Sequence, residues 1–306
     1  MAGFKNIKEW VDSCENGMHD IYQFRKMSGA ATIAGQWVDY TYASGRPISN
    51  FYATTPLIGA LIEDNKGIYV GGNISPLKKY IHRITTMMMA GAATTVSCQN
   101  VQLLLCDYLL YYPFVDMDDD AEQIMNVGVV SPAILPNRYG NSKGIQMMLV
   151  AQGQTVGGGT FTITYTNSDG TPDRVTPLHY CAAAQPAGAL VQANKAAGGV
   201  APFITLQTGD LGVQSVQKIQ FSLVNGGIAA IVLVKPLQTH IQMEECRRTT
   251  SGTLASFGSP NETECIRDTM HLTQIVDGAV LGFIGQTMAG SIAASQLVGM
   301  IETIWR

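Results

Sequence analysis

Charge is scarce in this sequence. Asp, Glu, Lys and Arg make up 14% of its 306 residues, against roughly 25% in an ordinary soluble domain, and they balance to −4 at neutral pH. The adjacent basic pairs are Arg25–Lys26, Lys78–Lys79 and Arg247–Arg248, far apart in the chain. With no basic stripe to hold phosphates, no direct nucleic-acid partner is expected. The six cysteines, Cys14, Cys98, Cys106, Cys181, Cys246 and Cys265, show no CxxC spacing and read as free thiols of a reducing compartment. The opening MAGFKNIKEW lacks the apolar run of a secretory signal, so synthesis in a cytoplasm is expected. Two charge-free windows, 84–106 and 278–301, have the length of a membrane span but are interrupted by Thr, Ser, Gln, Asn and Gly. They read as buried or interface strands, with no membrane partner.

Catalytic signatures are missing as well. GxSxG, a Walker sequence and GxGxxG after a strand do not occur, and Gly157–Gly158–Gly159 runs into a strand with no helix N-terminus to bind phosphate. His19, His82, His179, His240 and His271 lie dozens of residues apart, without zinc-ligand spacing. His179 and Cys181 are close enough to share one face of a strand, which reads as a partly buried strand rather than a catalytic pair. Asp116, Asp118 and Asp120 have the spacing that opens a calcium loop, but Ala121 stands where the loop needs Gly and Val127 where it needs Glu. These acids read instead as the start of a helix, with Asp118 or Asp119 as its N-cap. No catalytic, cofactor-binding or metal-binding residue is assigned, no cofactor is expected, and the chain is read as a non-enzyme.

What is present is β-structure. Ile7, Trp10, Val11 and Cys14 form one helical stripe ended by Gly17, and the first 28 residues read as a short N-terminal helix and an arm. Beyond it, Thr160-Phe161-Thr162-Ile163-Thr164-Tyr165-Thr166 places three apolar residues on one face and threonines on the other. Strands are also expected at 37–42, 68–70, 145–151, 215–223, 228–234, 278–285 and 297–305. Asn225-Gly226-Gly227 reads as a hairpin turn. The glycine- and alanine-rich stretch 182–199 reads as a surface loop. The run LLLCDYLLYYPFVDMDDD at 103–120 fits helix and strand alike; its β-rich neighbours favour a buried strand entering a short helical turn. Trp37, Tyr40, Tyr42, Phe51 and Tyr52 would offer a sugar-stacking platform if exposed, and read as core otherwise. Met87–Met89 and Met147–Met148 read as core filler or soft interface.

The fold class expected is mainly β: two β-sandwich or jelly-roll-like modules with a short N-terminal helix and arm. The expected boundaries are 1–28 (helix and arm), 29–139 (first β-rich module) and 140–306 (second β-sandwich module), with Pro132, Pro136, Gly140 and Gly144 crowding the join.

The stretch from Leu105 to Asp116, Trp37-Val38-Asp39 followed by Ser44-Gly45-Arg46-Pro47, the strand and turn at 164–170, and Asp277-Gly278-Ala279 together resemble a group of tailed-bacteriophage virion structural proteins. The resemblance implies a structural role in a virion, made in the bacterial host cytoplasm. A capsid cement or decoration protein, binding the major capsid protein or other virion proteins as a homotrimer, is the leading expectation. A major capsid or a tail or baseplate component is the alternative, although no segment sustains the long spine helix of a shell protein. A carbohydrate-binding or hydrolytic β-sandwich is the alternative from another class.

Overall fold

The computed structural model describes residues 4–27, 35–89, 101–156, 158–194, 201–242, 261–264, 272–287 and 296–306. Cys98, Cys246, Cys265, His271, Arg247–Arg248 and the end of the 182–199 stretch lie outside these residues, as do the side chains of Met88, Met89 and His240.

The chain is mainly β, and its described residues form three antiparallel six-stranded sheets. The central sheet runs β2 (Trp37–Asp39), β17 (Leu281–Thr287), β6 (Val101–Asp116), β14 (Ile228–Gln242) and β8 (Gln146–Ala151), with β4 (Ala60–Leu61) also on β6. A second sheet runs β15 (Asn261–Glu264), β5 (Lys79–Met89), β18 (Gln296–Trp305), β1 (His19–Met27) and β3 (Ser44–Arg46), with β16 (Gln274–Ile275) on β5. The third runs β12 (Gln192–Asn194), β11 (His179–Cys181), β9 (Thr160–Asn167), β13 (Val213–Phe221) and β7 (Gln123–Ile124), with β10 (Arg174–Val175) on β9.

The stretch read as a surface loop closes the central sheet. Ala189 bridges Val38 of β2 and Leu190 bridges Val150 of β8. Leu190 N donates to Trp37 O at 2.9 Å and Val191 N to Leu149 O at 2.9 Å. Ala189, Leu190 and Val191 are completely buried. Pairing both edges turns the sheet into a barrel and removes the open edges that invite misassociation. Trp37, Cys106, Tyr108, Met148, Val232 and Ile284 share one core cluster with Leu190 and fill the barrel.

The outer face of the barrel carries the other two sheets. Leu103 and Leu105, in the first half of β6, pack with Phe24, Ile81, Ile84 and Ile301 of the second sheet. Leu109, Tyr112 and Val115, in its second half, pack with Phe161, Ile163 and Ile219 of the third. A register shift between Leu233↔Leu110 and Val234↔Tyr108 is a bulge at Leu109, which keeps the outward set facing the same way. The result is two sandwich-like halves that share the barrel wall. The join expected near 140 falls between β7 and β8, and all three sheets take strands from both sides of it.

Local expectations mostly match. The helix, α1, is Ile7–Glu15, with the Asn6 side chain accepting from Glu9 N at 3.0 Å as its cap. Gly17 at φ +69° then reverses the chain. In β9, Phe161, Ile163 and Tyr165 are buried while Thr160, Thr162 and Thr166 are half-buried.

The arm after α1 docks on the chain's own core: β1 pairs along its whole length with β18, from His19↔Ile304 to Met27↔Gln296, and buries Phe24. Two further expectations are corrected. Asn225-Gly226-Gly227 links β13 to β14, which lie in different sheets, so the turn crosses between layers and is no hairpin. No helix follows Asp116. Asp116 Oδ1 accepts from Asp118 N and Asp119 Oδ1 from Ala121 N, both at 2.9 Å, and these local side-chain bonds hold a turn in place of a helical one.

Candidate interaction surface

Three buried charged groups among the described residues, Asp39, Lys26 and Asp107, are held by partners from the chain itself. In the barrel, Asp39 Oδ1 accepts from Thr41 N at 2.8 Å, Thr41 Oγ1 at 2.7 Å and Tyr108 Oη at 2.8 Å, and Tyr52 Oη donates to Oδ2. Burial raises the Asp39 carboxyl above its ordinary value, and the four donors oppose it. The Lys26 ammonium is held by the carbonyls of Pro47 at 2.9 Å, Ala43 at 3.0 Å and Thr41 at 3.3 Å. Burial pushes it down to about 8, against the pull of Asp39. On the outer face of β6, Asp107 lies between Leu105 of one core and Leu109 of the other. Its carboxylate accepts from Arg138 Nη1 at 2.7 Å, Val280 N at 2.7 Å and Tyr139 Oη at 2.9 Å. These groups join layers of the fold.

The candidates raised by the sequence settle in the same way. His179 and Cys181 share the buried face of β11, where His179 stacks on Phe161 with centroids 5.6 Å apart and burial pushes the Cys181 thiol up to about 12. A thiol held there carries no thiolate at neutral pH. Among the described residues no three His, Cys, Asp or Glu gather as metal ligands, and no helix is long and apolar enough to cross a membrane. Trp37, Tyr40 and Tyr52 are core residues; Phe51 alone of the five aromatics is exposed, edge-on to Tyr42. They form no flat stacking platform. Met147 and Met148 are fully buried.

What the surface does present is apolar. After β7 the chain runs out through Asn126-Val127-Gly128-Val129-Val130-Ser131-Pro132-Ala133-Ile134-Leu135, ten residues without a charge. Val127 is 68%, Val130 98% and Ile134 80% exposed, beside Ile124 at 50%. Asn126 anchors the start: its N donates to Leu57 O, and its Oδ1 accepts from Gly59 N at 2.8 Å. Leu135 and Tyr139 pack back on the core at the other end. Between this segment and β9 and β13 lies a hollow of about 920 Å³, lined by Pro132, Ile134, Thr166, Gln214 and Val216 among others. The signal the sequence offers for this surface is the uncharged decamer itself.

No protein-family model and no curated protein matches this chain. Two solved structures, one of the Gx strain of infectious bursal disease virus and one of that virus's VP2 subviral particle, align with 93% and 94% of it and with 80% of their own chains, at 9% identity. Their TM-scores are 0.17 and 0.18, a level of superposition that carries no argument.

Proposed function

We propose that this protein is a non-enzymatic structural subunit of a virion: a cement or decoration protein of a tailed bacteriophage that assembles as a homotrimer and binds the major capsid lattice. The observation that carries the reading is the tethered, uncharged segment with Val127, Val130 and Ile134 turned to solvent. Each such side chain gains about 1.5–3 kcal/mol when fully buried, and exposed apolar surface of this kind marks an interaction site. The closed barrel and the self-satisfied polar clusters support a rigid building block whose work is binding energy. The sparse charge suits a surface covered by neighbours.

The test is native mass by light scattering over a range of concentration, followed by co-sedimentation with emptied phage heads. A stable trimer that adds to the heads is expected. A monomer at every concentration that leaves the heads bare refutes the proposal.

A further inference from the structure

We propose that an acid-rimmed apolar tip on one copy of this chain seats in an arginine-flanked groove on a second copy, so that subunits join head to tail. The inference rests on the reading of the chain as an assembling subunit.

The groove, of about 880 Å³, opens on the second sheet, and Ile21, Ile48, Tyr69, Met87, Val298 and Met300 contribute to its lining. Ile21 is 50%, Ile48 54% and Tyr69 71% exposed. Arg25 and Arg46 also line it. They sit directly opposite each other on β1 and β3 and are exposed. Neither forms an ion pair among the described residues, and Asp64, the acid in the same lining, pairs with neither. Like charges facing each other across two strands are destabilising. The fold thus holds two positive charges together that it does not neutralise.

The tip has the opposite character. Asp116, Asp118, Asp119, Asp120 and Glu122 are all exposed, and among the described residues only Glu122 has a cation, Lys218 at 2.6 Å. Beside them Val156, Leu223 and Val224 are 71%, 58% and 60% exposed. The turn at Gly226 fixes this neighbourhood: a side-chain carbon there would lie 2.8 Å from Val156 and 3.8 Å from the Asp118 carboxylate. Apolar side chains beside carboxylates that lack a cation among the described residues thus match an apolar groove flanked by guanidiniums in the same condition, and Arg is the residue suited to a carboxylate partner.

The tip ends the half of β6 covered by the third sheet, and the groove belongs to the sheet over the other half. Two different patches meeting in this way make a heterologous contact, which closes into a ring when its rotation allows and is the geometry of a cyclic trimer.

The experiment uses two variants of the chain, R25E/R46E and D118K/D120K, followed by light scattering and sedimentation at low salt. Each alone is expected to stay monomeric, and an equal mixture is expected to recover association because the reversed charges complement, as alternating dimers or even-numbered assemblies, since a ring of three cannot alternate two variants. All four positions are exposed and outside the bonds that hold the turn, so circular dichroism and melting should match the parent protein; R25Q/R46Q repeats the groove test without added repulsion and should weaken association at least about tenfold. Retention of the parent mass by either charge-reversed variant, or a mixture that stays monomeric, overturns the inference. If those variants stay trimeric and still coat emptied heads, the head-to-tail contact is wrong and the capsid role stands. If the parent chain is a monomer that ignores the heads, both fall.

Discussion

Replacing Arg138 by Met should destabilise the protein by about 3 kcal/mol at pH 7.5. Asp107 is completely buried, and Arg138 is its only cation among the described residues, 2.7 Å away with a side chain 15% exposed. Removing one member of a buried ion pair leaves an uncompensated charge, with a typical cost of about 3–5 kcal/mol. The lower end applies because Val280 N and Tyr139 Oη still donate to the carboxylate, and because the carboxyl can take up a proton. Burial already raises Asp107 above its ordinary 3.8, and the charge and hydrogen bond of Arg138 hold it down. Without Arg138 the folded-state value rises further while the unfolded one does not. Between the two the folded chain binds the extra proton, so stability falls as pH rises through that window. The loss should therefore be greater at pH 8 than at pH 5. Urea unfolding at both pH values, with D107N and the double variant completing a cycle, measures it. A loss below about 1 kcal/mol, equal at both pH values, would refute the reasoning.

Asp210 should behave oppositely. Burial alone would raise its carboxyl, but hydrogen bonds from Arg174 Nε at 3.0 Å, Tyr165 Oη at 2.5 Å and Asn167 Nδ2 at 2.8 Å hold it below the ordinary 3.8. Its contribution is present above pH 3.8 and lost as pH falls through the lower folded value, so D210N should flatten the acid limb of a melting-temperature profile. V130D should leave the melting temperature of the isolated chain unchanged while weakening assembly by about tenfold or more, read by light scattering. Truncation through residue 17 should leave a folded protein. Truncation through 27 removes β1, exposes the edge of β18 and should abolish the cooperative melt.

The strands at 145–151, 160–166, 215–223 and 297–305 were legible because alternation and turn residues act locally. The run at 103–120 was ambiguous for a physical reason: β6 faces the filled barrel on one side and two cores on the other, so neither face is polar and the bulge at Leu109 breaks what period remains. Turn chemistry at 225–227 marked a reversal but carries no information on which sheet the next strand joins. The triad Ala189-Leu190-Val191 is too short to stand out among glycines and alanines, and its burial depends on two strand edges distant in the chain. The groove leaves no mark in the sequence because Arg25 and Arg46 meet only through sheet pairing. The acids of the tip were visible, but their apolar companions come from two other loops.

The β6–β14 ladder runs from Ile228↔Asp116 to Gln242↔Val101, through both halves of the molecule. Tension applied between the two ends would run along those strands and perpendicular to their hydrogen bonds. Bonds loaded in this direction share the force and must yield together, whereas a ladder pulled at one end opens bond by bond. A pair of covalent chains thus acts as a tie rod between the two cores, a construction that resists being drawn apart end from end.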